Sequence, residues 1–129
     1  MTLIELLVVV AIGAILAFAA VPSYRAHAMR AHRVEAAAAL LALSAAQENF
    51  FLRHNTYTTE LEAAPPDGLG MQPVTDSGRY DIAIDYADVE GFHATATARD
   101  GQADDTHCAS FTIDQAGAKS ATSTDCWTR

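Results

Sequence analysis

Charge is almost absent from the first 24 residues, where Glu5 is the sole formally charged side chain. No basic n-region precedes the apolar run, which argues against a cleaved secretory signal, although Ala17-Phe18-Ala19 imitates a cleavage site. Glycine and proline are missing between Ser23 and Arg53, so nothing there interrupts a helix. Cysteine is scarce: Cys108 and Cys126 are the only two. No phosphate-binding loop, zinc signature or nucleophile motif occurs. The histidines, His27, His32, His54, His93 and His107, are scattered, and His27 and His32 are five apart, a spacing that does not place a metal pair on one helix face. These absences leave no catalytic constellation; no enzyme activity, cofactor or metal site is expected.

The chain has room for one domain and one modest core. Leu6–Val21 is a run of 16 apolar residues, counting Gly13. With its flanks it approaches the roughly 20 residues that cross a bilayer core as helix. A plain single-span anchor and a buried core helix are the alternatives, and the second would need more chain to cover an apolar helix on every face. Residues 1–24 therefore read as a hydrophobic transmembrane or polymerisation helix, and residues 25–129 as a globular domain.

Net charge is −8 and unevenly spread. Residues 25–53 carry four basic against two acidic side chains, and residues 54–129 four basic against thirteen acidic. An acidic head disfavours generic nucleic-acid binding. The basic band after the apolar run suits either anionic lipid head groups or a solvated helical face.

Glu5 is the informative residue. An ionised carboxylate in hydrocarbon costs several kcal/mol, about 3 or more, and a plain anchor gains nothing from it. The α-amine of Met1 lies within a helical turn and can compensate it, in the same chain or a neighbour. A pair between neighbours would set axial register as a single polar residue does in a coiled-coil seam.

Met1-Thr2-Leu3-Ile4-Glu5-Leu6-Leu7-Val8-Val9-Val10-Ala11-Ile12, then Ile15-Leu16-Ala17 and Val21-Pro22-Ser23-Tyr24, resembles the mature start of type IV pilins and type II secretion pseudopilins. The resemblance departs at Met1, where the family usually has Phe, and at Gly13, one position before the usual glycine. It implies that a prepilin peptidase cuts a leader before residue 1 and N-methylates the new N-terminus, here Met1, and that Glu5 pairs with the N-terminal amine of an adjacent subunit. It further implies unwinding between Gly13 and Pro22 in the assembled filament. Local physics agrees in part: Pro22 lacks a donor and conflicts with the Phe18 carbonyl, and Gly13 weakens helix by about 1 kcal/mol relative to Ala.

Residues 25–53 read as the amphipathic half of the same helix, with Val34, Ala37, Ala38, Leu41 and Ala45 on one face, widened by Leu40, Leu43 and Phe50–Leu52, packed on a sheet. An independent coiled coil is the weaker alternative. Residues 54–78 form the loop between helix and sheet, with Thr59 and Glu62 as a capping box for one short turn that Pro65-Pro66 ends. The sheet spans 79–115. Tyr80, Ile82, Ile84 and Tyr86 share the buried face of one strand, Phe92 and the alanines to Ala98 that of a second, and Phe111 and Ile113 that of a third within Cys108–Asp114. The fold class is α+β: a long N-terminal α-helix, apolar then amphipathic, on an antiparallel sheet of about three to four strands. The resemblance describes this as the ladle-shaped pilin fold.

An even cysteine count in an exported chain suggests one disulfide, with metal ligation beside His107 as the alternative. Residues 47–57 and 108–127 are similar to small minor-pilin-like subunits, and that likeness implies a Cys108–Cys126 bond bounding residues 108–126. Asp100, Asp104 and Asp105 around Gly101 offer a calcium loop without EF-hand spacing, or an acidic surface loop. Tyr24, Phe50, Phe51 and Tyr57 suit packing better than electron transfer.

The resemblance implies a structural subunit polymerising into a type IV pilus for adhesion, twitching motility or DNA uptake. The alternatives are a DNA-binding or tip-located minor pilin, with Arg79, Arg99 and Lys119 as a basic patch, and a type II secretion pseudopilin. Implied partners are further copies in a helical homopolymer, other pilins, the inner membrane before assembly, the prepilin peptidase and pilus assembly machinery, and DNA. The implied locations are the bacterial inner membrane and then the extracellular pilus.

Overall fold

A computed structural model describes residues 1–128. Helix α1 spans Leu3–His54, followed by strands β1 (Tyr80–Ala87), β2 (Phe92–Ala98), β3 (Ser110–Asp114) and β4 (Lys119–Ala121). Contacts divide the chain into two compact units, Met1–Arg30 and Ala31–Arg129.

In the first unit, Thr2 and Glu5 start the helix reciprocally. Glu5 N–H donates to Thr2 Oγ1 and Thr2 N–H to Glu5 Oε2, both at 3.4 Å. This is a capping box, each side chain satisfying an amide that the helix leaves free. In the single subunit the helix is continuous through Gly13 and Pro22, whereas the unwinding that the resemblance implies concerns the assembled filament. One proline forfeits a single ladder bond, and the continuous bonds on either side hold the turn.

In the second unit, α1 from Ala31 onward lies on a four-stranded antiparallel sheet of order β1-β2-β3-β4. Ala36, Leu40 and Leu43 are buried and Phe50 half-buried, against Tyr80, Ile82, Phe92, Ala94, Ala96, Phe111 and Ile113. The alanines of β2 leave room for the helix. The stripe expected to face the sheet is instead turned outward: Val34 is 59% and Leu41 46% exposed. An alanine-rich helix presents apolar residues on two sides, and the face carrying Leu40, Leu43 and Phe50 buries more area per residue. Asn55, at φ 55°, ends α1 with its N–H on the Phe51 carbonyl. That left-handed stop suits asparagine.

Strand β1 alternates as expected through Ile84, then departs. A bulge at Asp85 sets Tyr86 opposite His93, so Tyr86 turns to the outer face and stacks on that imidazole. An extra residue in one strand reverses the facing of the residues beyond it. The capping box expected at Thr59 and Glu62 does not form; Thr58 Oγ1 accepts from Glu60 N–H instead, and no helical turn forms there. The sheet extends past residue 115 as the β3–β4 hairpin, whose turn Gly117 closes at φ 75°. Residues 73–75 pair along the free edge of β1: Ile82 N–H donates to Pro73 O and Thr75 N–H to Tyr80 O.

Candidate assembly surface and the head that presents it

Among the described residues, the apolar part of α1 in the first unit is uncovered. Leu3, Ile4, Leu6, Leu7, Val8, Val9, Val10, Ile12, Ile15, Leu16, Phe18 and Val21 are all exposed, and an 18-residue window averages a hydropathy of 2.8. The segment is long and apolar enough to cross a membrane. Contiguous exposed apolar surface on this scale requires lipid or protein to cover it. Glu5 is exposed among these side chains and forms no salt bridge among the described residues.

The second unit presents a further outward stripe on α1: Val34, Ala38, Leu41, Ala45 and Leu52, opposite the buried face. The same residues proposed from sequence as core are therefore available to a neighbour.

Sequence reasoning missed the polar cluster that holds the head together. Arg33 Nε donates to Asp105 Oδ2 at 2.5 Å and Nη2 to Oδ1 at 2.6 Å. Asp105 is 6% exposed. Its hydrogen bond keeps the Arg33 pKa above its ordinary value, outweighing partial burial. Gln102, also buried, donates from Nε2 to Tyr80 Oη and Asp105 Oδ2 and pairs through Oε1 with His32 Nδ1. Tyr80 Oη donates to the Cys108 carbonyl. Burial pushes the Tyr80 phenol up, with the Asp105 charge adding to it while Gln102 and Arg33 oppose it. These contacts tie α1 to the short 3₁₀ turns at Asp100–Asp104 and Thr106–Cys108. With Asp105 committed to Arg33, the candidate calcium loop loses one of its three carboxylates.

A second missed residue is Gln47, fully buried. Its Nε2 donates to Thr58 O at 2.7 Å, and its Oε1 accepts from Thr58 N–H at 3.1 Å. The side chain thus imitates a strand partner and fastens the loop to the helix. Glu35 fastens the same loop by accepting from Ser77 N–H and Oγ.

Cys108 and Cys126 form a disulfide. Among the described residues, the one cluster of three metal-capable side chains is His107, Cys108 and Cys126, and the disulfide consumes both thiols. Trp127 comes next, its Nε1 on Ser120 O and its ring edge-on to Phe111.

The proposed basic patch does not assemble. Arg79 and Arg99 adjoin at one end of the sheet, where Arg99 N–H donates to Arg79 O. Lys119 pairs across Ile113 with the level of Ala94, four residues along β2 from Ala98 and two strands away, a separation of roughly 15 Å. Arg99 is also committed to Asp81 and Asp100. Tyr57 stacks on Phe51 and Phe92, in keeping with a packing role.

The fold has a counterpart among solved structures. The structure is similar to "High-Resolution Structure of a Type IV Pilin from Shewanella oneidensis", with a TM-score of 0.53 at 19% identity, over 78% of this chain and 99% of that one. No curated protein matches the sequence. Residues 22–112 match a family described as "Type IV minor pilin ComP, DNA uptake sequence receptor", and the chain belongs to that family. It is a type IV pilus subunit.

Proposed function

We propose that the unassembled subunit is held in the bacterial inner membrane by the apolar part of α1 and passes from there into an extracellular filament. The Glu5 carboxylate of one copy pairs with the Met1 α-amine of the next. The carrying observation is Glu5 itself, an acid among exposed apolar side chains whose side chain meets only Thr2 among the described residues. Both capping contacts are long at 3.4 Å and weak. An amine from a neighbour offers a stronger, charge-assisted partner where water is excluded. A prepilin peptidase that exposes and methylates the amine leaves its charge in place. Other pilins and the assembly machinery complete the partner set, and Gly13 and Pro22 mark where α1 loosens on assembly. The test is Glu5→Gln, imaged as surface filaments; normal yield and register would sink the reading.

Of adhesion, twitching motility and DNA uptake, the family description favours DNA uptake through direct binding. On a head this acidic the contact is local rather than spread over a basic face. A low-salt gel shift with the full chain in detergent tests it, and no shift removes it.

A further inference from the structure

A groove of about 300 Å³ opens between the end of α1 and the loop after it. Its walls are Ala46, Phe50, Pro65, Pro66 and Leu69, with Asn49, Arg53 and His54 on the helix side. The loop wall is preformed: Leu69 N–H donates to Glu60 O, Gly70 N–H to Ala63 O and Met71 N–H to Leu61 O. A side chain at Gly68 would come within 2.6 Å of two of those carbonyls, so only glycine lets the loop fold back.

Two features set this groove apart from the rest of the head. No carboxylate lines it, in a chain with 16 acidic residues. Arg53 is exposed and forms no ion pair or hydrogen bond among the described residues, whereas Arg33 and Arg99 are held by aspartates. The hydrogen bonds of the other two polar side chains fix what they can offer. His54 Nδ1 donates to Phe50 O, which leaves Nε2 as an acceptor. Asn49 Nδ2 donates one hydrogen to Ala45 O, which leaves Oδ1 as an acceptor and the second N–H as a donor. The His54 ring lies on Phe50 with centroids 4.1 Å apart and is itself exposed.

We infer that this groove binds one unstacked nucleotide of single-stranded DNA. The guanidinium of Arg53 takes the phosphate, and the base lies against the His54–Phe50 stack and the prolines, as bases stack on aromatic platforms elsewhere. Asn49 and His54 together offer the base edge two acceptors and one donor, which any of the four bases can meet. The volume falls at the small end of ligand pockets, suited to one nucleotide and not to a duplex. The inference rests on the DNA-uptake reading and adds strand form and residues to it.

The experiment measures binding of short labelled oligo-dA, oligo-dC and oligo-dT, and of a duplex, to the full chain in detergent at low salt. The three single strands should each bind more tightly than the duplex, whose bases are not free to enter the groove. Arg53→Gln and His54→Ala should each weaken single-strand binding by about tenfold, and Lys119→Gln should leave it unchanged. Titration of the unmodified protein with deoxyadenosine monophosphate should shift the amide resonances of Asn49, His54 and Leu69. If DNA binds but neither groove variant weakens it, or Lys119→Gln weakens it equally, the groove assignment falls and the DNA-uptake reading stands. If no DNA of either form binds, the DNA-uptake reading falls and takes this one with it.

Discussion

Arg33 and Asp105, 72 residues apart in sequence, meet fork to fork with both carboxylate oxygens engaged. The pair joins the helix to the turns preceding the disulfide, and its side chains are 16% and 4% exposed. Removing one partner strands the other as an uncompensated buried charge.

Arg33→Met should therefore lower unfolding stability by about 3 kcal/mol or more, while Arg33→Met with Asp105→Leu should cost clearly less than the two single changes added together. Denaturant unfolding of the three variants measures this. Strict additivity would show that the two side chains do not interact.

Stability should fall under alkaline conditions through the tyrosines. The Tyr80 and Tyr57 phenols are both raised from an ordinary value of 10.0, chiefly by burial. The folded state thus holds protons that the unfolded chain releases first. The contribution is complete below pH 10.0 and is lost as pH climbs through the folded-state values. Arg33, also raised, titrates beyond the tyrosine range and adds no slope within it. Unfolding midpoints across this range, compared with those of Tyr80→Phe, check the claim: the variant should show a shallower alkaline decline.

Gln47→Ala should cost about 1–3 kcal/mol, because it leaves the backbone N–H and C=O of Thr58 without their buried partner. Hydrogen exchange should rise at Thr58 and along the adjoining loop before it rises in the sheet. Unchanged protection at Thr58 would show the clamp to be dispensable.

The two faces of α1 should separate stability from assembly. Leu40→Ala empties a buried site and should cost about 2–5 kcal/mol. Leu41→Gln and Leu52→Gln alter outward residues and should stay within about 0.5 kcal/mol of the parent, yet reduce filament yield. Thermal melts paired with filament counts discriminate the two. Normal filaments from the Leu41 and Leu52 variants would remove this stripe from the assembly surface.

The sequence carries the architecture because that depends on local pattern. An uncharged run with one acid, a helix free of glycine and proline, and alternation from Tyr80 to Ile84 each leave a mark within a few residues. What it hides depends on distant partners. Nothing near Arg33, Gln47 or Gln102 signals that these polar side chains are buried, since their partners lie in other elements. The buried helix face is ambiguous in sequence because alanine fits either side, and only the sheet decides which stripe it accepts. The Asp85 bulge has no glycine or proline to announce it. Thr2 and Glu5 do spell a capping box in plain spacing, so Glu5 carries a structural role that its place in an apolar run conceals.

The margins of the sheet bear on solubility at high density. Residues 73–75 already occupy part of β1's outer edge, the Asp85 bulge distorts the remainder, and β4 is three residues long and begins with Lys119. A stray strand from a neighbouring copy finds little to zip onto at either side. Copies crowded together in a pilus are thereby discouraged from drifting into cross-β aggregates.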